Sequence, residues 1–301
     1  MEKKIVKKID MHVHASESGW PAFEAGIAFA TPEELIAMYD ELGVEMGVLL
    51  PELPDSAFVT SSNYEIWRIT QKYPDRFTWF CNFEPWQVRN AADLDFTPAL
   101  QWCKDHGAKG VGEIIANADF DDPRVLNLMR CCEKVGLPFL FHIGVLGNDY
   151  GLVAGERLEK LEKVLQMFPN LKFLGHSQMF WEEISNYEYR DPEYKFNKGK
   201  VIPGGRVVEL MRKYPNLLGD LSAGSGYNAM TRDPEFTYAF MEEFADRLYY
   251  GTDICHNQAM SQPLVKLAVF LDDAMLEGKI SYDTYYKISR GNAEKLLGLV
   301  K

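Results

Sequence analysis

His12 and His14 stand two residues apart in Ile9-Asp10-Met11-His12-Val13-His14. Side chains alternate faces along a strand, so Asp10, His12 and His14 share one side and Ile9, Met11 and Val13 the other. Two imidazoles at that spacing at a strand's end can reach one cation together, and imidazole suits zinc, iron or nickel. Alone, the pattern fits two surface histidines in a loop equally well. The rest of the chain decides. Glu113 closes Gly110-Val111-Gly112-Glu113, His142 closes Phe139-Leu140-Phe141-His142, His176 follows Leu174-Gly175, and Asp253 follows Gly251-Thr252. Each has an ordinary alternative: His142 as a buried histidine bonded to a carbonyl, His176 as a turn cap, Asp253 as a helix N-cap, Glu113 as the partner of Lys109 or Arg206. Those alternatives need a separate coincidence for every residue, whereas one metal site accounts for them all.

The elements that would position this set follow from the hydrophobic pattern. Short apolar runs alternate with helical stretches along the whole chain. Strands are predicted at Lys4–His12, Val44–Leu50, Phe77–Asn82, Ala108–Glu113, Pro138–His142, Leu171–His176, Leu217–Leu221 and Leu248–Thr252. The helices between them have recognisable starts. Thr31-Pro32-Glu33-Glu34 combines a capping threonine, a first-turn proline and a capping-box glutamate. Asp122-Pro123, Gly155-Glu156-Arg157 and Asp233-Pro234 open three more, and Lys72-Tyr73-Pro74, Met167-Phe168-Pro169 and Lys213-Tyr214-Pro215 stop three. Strands alternating with helices pair in parallel, and eight of them close a barrel. The expectation is an α/β protein, a (β/α)8 TIM barrel in a single domain over residues 1–301. In that fold the C-terminal strand ends converge on one mouth. Four of the six histidines, His12, His14, His142 and His176, fall at such ends.

The stretch at about 177–203 is too long and too aromatic for an ordinary connection. It holds Phe180, Trp181, Tyr187, Tyr189, Tyr194 and Phe196, with Arg190, Lys195, Lys198 and Lys200 between them. Long loops in a compact domain are functional or disordered, and the aromatics argue against disorder. Packing for stability or a dimer contact competes with a substrate role; on the latter reading Trp181 and Arg206 bind substrate, and a homo-oligomer is allowed.

With 47% hydrophobic and 25% charged residues, the composition is that of a globular protein. The formal net charge of −12 disfavours nucleic acid and anionic membranes as partners. Cys81, Cys103, Cys131, Cys132 and Cys255 show no metal-type spacing, and free thiols fit a reducing cytoplasm. No apolar stretch follows Met1-Glu2-Lys3-Lys4, so a signal peptide is not expected, and no run approaches membrane-spanning length. A cytoplasmic enzyme acting on a small molecule is the expectation.

Ile9-Asp10-Met11-His12-Val13-His14, Pro138-Phe139-Leu140-Phe141-His142, Gly175-His176-Ser177, Tyr250-Gly251-Thr252-Asp253 and the closing Gly291-Asn292-Ala293-Glu294-Lys295-Leu296-Leu297-Gly298 appear in the order found in the amidohydrolase superfamily. The chain resembles its amidohydrolase-2 branch, which includes relatives of aminocarboxymuconate-semialdehyde decarboxylase. The resemblance implies a barrel with a divalent metal on His12, His14, His142 and Asp253. It makes His176 catalytic with one ion, or a ligand of a second ion with two. Many superfamily members bridge two metals with a carboxylated lysine on the fourth strand. Here Gly110-Val111-Gly112-Glu113-Ile114 is similar instead to the subgroup that bridges with glutamate, including the TatD-type nucleases, and Glu113 joins the expected ligands.

The chemistry expected of this set is hydrolysis. A divalent ion, zinc by preference and present once or twice, lowers the pKa of bound water from 15.7 to roughly 7 and so provides hydroxide at neutral pH. Asp253 then takes and returns the proton, and His176 polarises the carbonyl if only one ion is bound. The substrate expected is an amide, lactone or other ester of a small, anionic molecule. Decarboxylation or hydration on the same scaffold is the alternative. His256 and His106 are read as a loop histidine and a helix C-terminal cation.

Overall fold

A computed structural model describes residues 4–19, 22–24, 26–52, 61–85, 92–145, 150–186 and 197–299. Along the chain run β1 (Lys8–Val13), β2 (Ala22–Glu24), β3 (Ile27–Ala28), β4 (Val44–Leu49), β5 (Phe77–Cys81), β6 (Ala108–Ile114), β7 (Phe139–His142), β8 (Phe173–His176), β9 (Leu217–Asp220) and β10 (Leu248–Tyr249). All but β2 and β3 form one eight-stranded sheet whose strand order is the chain order. Parallel strands with a helix between each pair are the (β/α)8 barrel pattern. β1 and β5 are buried along their whole length; β5 reads as a nearly unbroken apolar run, whereas β1 buries the polar Lys8, Asp10 and His12 in alternation with Ile9, Met11 and Val13. β2 and β3 make a small antiparallel ribbon that the sequence reading did not anticipate.

The helix signals act as expected in the first half. Thr31 accepts from the Glu34 backbone while the Glu34 carboxylate accepts from the Thr31 N–H, and helix Pro32–Leu42 ends at left-handed Gly43. Asp122 caps Pro123–Val135. At Gly155 the start is broken: Arg157 and Leu158 are left-handed, so the regular helix begins at Glu159. The three proline stops hold, with helices ending at Lys72, Met167 and Lys213. No described helix is long and apolar enough to cross a membrane.

The chain packs as two units, Met1–Trp79 with Gly219–Lys301, and Phe80–Leu218. In the first, β1 pairs with β4 through Ile9↔Met46, Asp10↔Gly47 and Val13↔Leu49, and β10 pairs with β9 through Tyr249↔Asp220. β10 is shorter than the predicted Leu248–Thr252. Past Tyr249 the chain continues beside β1 through Met11 N–H to Tyr250 O, Asp253 N–H to His12 O and His14 N–H to Ile254 O. Asp253 has φ +60°, and a strand cannot run through that conformation. In the second unit β7 pairs with β8 residue for residue, placing His142 opposite His176.

Gly47 shows how tightly the first unit is fitted. The Tyr39 side chain crosses it, and its hydroxyl donates to Asp10 Oδ2 at 2.8 Å. A Cβ at residue 47 would stand 2.2 Å from that hydroxyl oxygen. Gly47→Ala should therefore lose about 1–3 kcal/mol of stability by overpacking. A urea midpoint unchanged from wild type would show that the ring moves aside freely.

Candidate metal centre

The first unit brings together His12, His14 and Asp253. His12 Nε2 lies 3.1 Å from His14 Nε2, and Asp253 Oδ1 lies 3.4 Å from the first and 3.5 Å from the second. The opposite nitrogen of each ring is engaged by an acceptor. His12 Nδ1 is 2.7 Å from Asp220 Oδ2, and His14 Nδ1 is 3.1 Å from the Leu50 carbonyl. A carbonyl accepts only, so the His14 proton sits on Nδ1, and the Asp220 carboxylate selects the same tautomer at His12. Both Nε2 atoms then turn lone pairs toward one another and toward a carboxylate. Three acceptors converging in this way are what a cation requires. Ligand atoms about 2.1 Å from a tetrahedral zinc lie roughly 3.4 Å from each other, and the three observed edges are close to that length. The residues fit a divalent metal.

The field at this set also favours positive charge. Burial alone would lower the His14 pKa, but hydrogen bonding to Asp253 and the negative charge of Glu52 together outweigh it and raise the pKa. Asp10, which shares the histidines' side of the strand in sequence, takes a different job. Its buried carboxylate accepts from the Tyr39 hydroxyl, the Thr252 hydroxyl and the backbone N–H groups of Thr252 and His12. Burial pushes its pKa up to about 6 despite those donors. Asp10 thereby clamps the start of the β1 strand end to Thr252, next to Asp253. The left-handed backbone at Asp253 costs of order 1–3 kcal/mol and persists where surrounding bonds over-determine it, here Asp253 N–H to His12 O at 2.8 Å.

The second unit assembles Glu113, His142 and His176. Glu113 Oε1 is 2.7 Å from His142 Nδ1 and 3.6 Å from His176 Nε2. The Glu113 side chain pairs with His142, and Arg206 pairs with Glu162 and Glu209 instead. The Glu113 backbone carbonyl accepts from Asn82 Nδ2 at 2.7 Å. Ser177 follows His176 with φ +105°, and its hydroxyl accepts from the Ile143 and Phe180 N–H groups, tying the ends of β7 and β8 together. Tyr150 packs over His142 with ring centroids 4.6 Å apart. Past His142, Ile143, Gly144, Val145, Val153, Leu158 and Met179 line a cavity of about 250 Å³.

Two residues expected to bind substrate, Trp181 and Arg206, have partners within the second unit. Trp181 is buried, with Phe180 edge-on at 5.0 Å between centroids. Arg206 opens helix Arg206–Lys213 and donates to Glu162, Glu209 and the Arg157 carbonyl. Of the aromatic and basic stretch, Tyr187, Tyr189, Arg190, Tyr194, Lys195 and Phe196 lie outside the described residues. His106 ends its helix, bonded to Trp102 O, and His256 is held by Gln258 and Gln262 in a loop. The sequence reading passed over Asp220. The signal was there, since Leu217-Leu218-Gly219-Asp220 is a strand closing on a carboxylate just as Gly110–Glu113 does.

Eight parallel strands with polar residues gathered at their C-terminal ends define a TIM-barrel enzyme class. The family model described as Amidohydrolase (Amidohydro_2) matches residues 9–299, and the chain belongs to that family. No protein of curated function matches it by sequence. Solved structures share the fold. An uncharacterized TIM-barrel protein from Bordetella bronchiseptica is 21% identical with TM-score 0.64, over 97% of this chain and 99% of that one. The 2,6-dihydroxybenzoate decarboxylase from Rhizobium is 18% identical with TM-score 0.61, over 98% and 99%. A probable 2-pyrone-4,6-dicarboxylic acid hydrolase from Acinetobacter baumannii, with citric acid bound, is 17% identical with TM-score 0.55, over 97% and 100%.

The Arg206 cluster yields a test of its own. Hydrogen bonding from Lys213, joined by Tyr214 and Arg206, lowers the Glu162 pKa to about 2. A depressed folded pKa stabilises above the ordinary carboxylate value and is lost as pH falls through the folded one. Glu162→Gln should thus cost stability at neutral pH, by less than about 1 kcal/mol because solvent screens the pair. The difference from wild type should shrink between pH 4.5 and pH 2. Thermal melts whose difference stays constant across that range would refute the pairing.

Proposed function

We propose that the chain is a metal-dependent hydrolase cleaving an amide, lactone or other ester bond of a small anionic molecule. The observation that carries the reading is the His12, His14, Asp253 triangle, with both Nε2 atoms aimed inward by Asp220 and Leu50. His12, His14 and Asp253 would hold a divalent ion, zinc by the donor chemistry, which when bound supplies Lewis acidity and water of lowered pKa. The remaining work belongs to the chain. The Asp253 side chain is 27% exposed, whereas His12 and His14 are 0% and 3% exposed, so it is the member of the set that can exchange protons. Its carboxylate accepts the proton as water adds to the substrate carbonyl and returns it to the leaving nitrogen or oxygen. Glu113, His142 and His176 form a second donor set of the mixed kind that metals select, and this supports a second ion and hydrolysis. With one ion bound, His176 would instead donate to the oxygen where negative charge develops. The cavity past His142 gives an apolar part of the substrate somewhere to sit.

The anionic class is supported by the polycarboxylate named for the Acinetobacter hydrolase. Decarboxylation is the second reading, favoured by the activity named for the Rhizobium structure. Free thiols among the described cysteines and the net charge of −12 support a cytoplasmic place and a small molecule as partner.

The test is an assay of zinc-replete protein on lactones, esters and amides of small carboxylic acids, alongside aromatic carboxylic acids monitored for CO2. Acid release from the first group, reduced about 10²–10⁴-fold or more in Asp253→Asn, is expected. CO2 release alone would move the assignment to a lyase, and full turnover in Asp253→Asn would place the base elsewhere. Metal stoichiometry separates the roles of Glu113. Wild type should take up to about two equivalents of Zn2+ and Glu113→Gln about one, as a two-metal site demands. One equivalent in both proteins would leave Glu113 as a neighbour of His142 and not a ligand.

A further inference from the structure

Asp220 closes β9 and is completely buried, and in the proposed reaction it neither holds the ion nor moves a proton. Its surroundings are built for one purpose. Oδ2 stands 2.7 Å from His12 Nδ1, and the carboxylate is oriented by Ser222, whose N–H donates to Oδ1 at 3.0 Å and whose hydroxyl donates to Oδ2 at 2.9 Å. Gly251 leaves the room they need. A Cβ there would lie 2.8 Å from Asp220 Oδ1, 2.7 Å from Ser222 Cβ and 3.4 Å from His12 Cβ.

The two histidines of the triangle are therefore anchored unequally. His14 leans on a neutral carbonyl at 3.1 Å, His12 on a carboxylate at 2.7 Å. A hydrogen bond to an ionised acceptor is shorter and roughly twice as strong as one to a neutral acceptor. Its charge also draws the Nδ1 proton and leaves more electron density on Nε2, raising the basicity of the ligand atom. We propose that Asp220 is a positioning residue that locks His12 in its Nδ1-protonated tautomer, makes His12 the stronger of the two imidazole ligands and so sets the affinity for the metal. The inference rests on the metal-centre reading above.

The experiment measures Zn2+ affinity of the metal-free full chain by competition with a chromophoric chelator, beside thermal stability of the metal-free protein. Asp220→Asn keeps the size and an acceptor oxygen but removes the charge. It should bind Zn2+ about 10–100-fold more weakly. Ser222→Ala keeps the charge and removes one orienting donor, so it should weaken binding by less than Asp220→Asn does. Should Asp220→Asn fail to fold, Ser222→Ala carries the test alone, and an unchanged affinity in it overturns the proposal. Asp220→Asn that melts lower without losing Zn2+ affinity also overturns it, because the carboxylate would then serve the fold only. The 15N shifts of His12 in the metal-free wild type give an independent reading: a bare Nδ1 refutes the tautomer lock. Wild type that binds no Zn2+ would sink the metal-centre reading itself, whereas wild type that binds with both variants unaffected sinks this inference alone.

Discussion

A carboxylate sealed away from water is costly unless donors surround it, and Asp10 collects four. Two come from Thr252, one from Tyr39 and one from the His12 backbone. Those donors tie together the end of β1, the helix Pro32–Leu42 that carries Tyr39, and the turn after β10. Burial still prevails enough to hold the Asp10 pKa at about 6. The arrangement is therefore satisfied but not relaxed, and the same clamp sets the backbone where Asp253 turns left-handed. Regular strand geometry would alternate side chains up and down; the turn instead brings Asp253 Oδ1 within 3.5 Å of both His12 and His14 Nε2.

The same device recurs where β8 ends. Ser177 is left-handed straight after His176, as Asp253 is after Thr252, and in each case a side-chain hydroxyl accepts an N–H close by, Ser177 from Ile143 and Phe180, Thr252 from Ile254. Small hydroxyl residues thus serve as pins at the strand ends. They hold backbone in conformations that helices and strands avoid, and they let polar side chains leave the strand at angles the pleat does not offer. The candidate residues sit at or just past strand ends, His142 and His176 closing β7 and β8 and His14 following β1, where position is inherited from the sheet.

Much of this was readable from the chain. Short apolar-rich segments between helical stretches made all eight strands visible, unbroken in Phe139–Phe141 and alternating with polar residues in Lys8–Val13, and the ends of those segments showed His12, His14, Glu113, His142 and His176. Thr31, Glu34 and Asp122 announced helices because capping is local chemistry. What escaped depends on partners far along the chain. β2 and β3 together hold five residues and have no periodicity to read. The truncation of β10 follows from bonds that join Asp10 to Thr252, 242 positions later. Asp220 looked like any carboxylate after a strand, and its link to His12 spans 208 positions. For Trp181 and Arg206 the sequence shows the chemistry but not the neighbours, which include Phe180 for the first and a pair of glutamates for the second.

The charge pattern of the first set is one that a cation would offset. Asp220 and Asp253 each bring a negative charge, Glu52 adds to the field at His14, and the two imidazoles between them can be neutral or positive. That negative charge raises the His14 pKa against the effect of burial. A divalent ion held by His12, His14 and Asp253 would offset two of those charges at one point, and the bonds from the two Nδ1 atoms to Asp220 and the Leu50 carbonyl would be left undisturbed. Protons and metal would compete for the same Nε2 atoms.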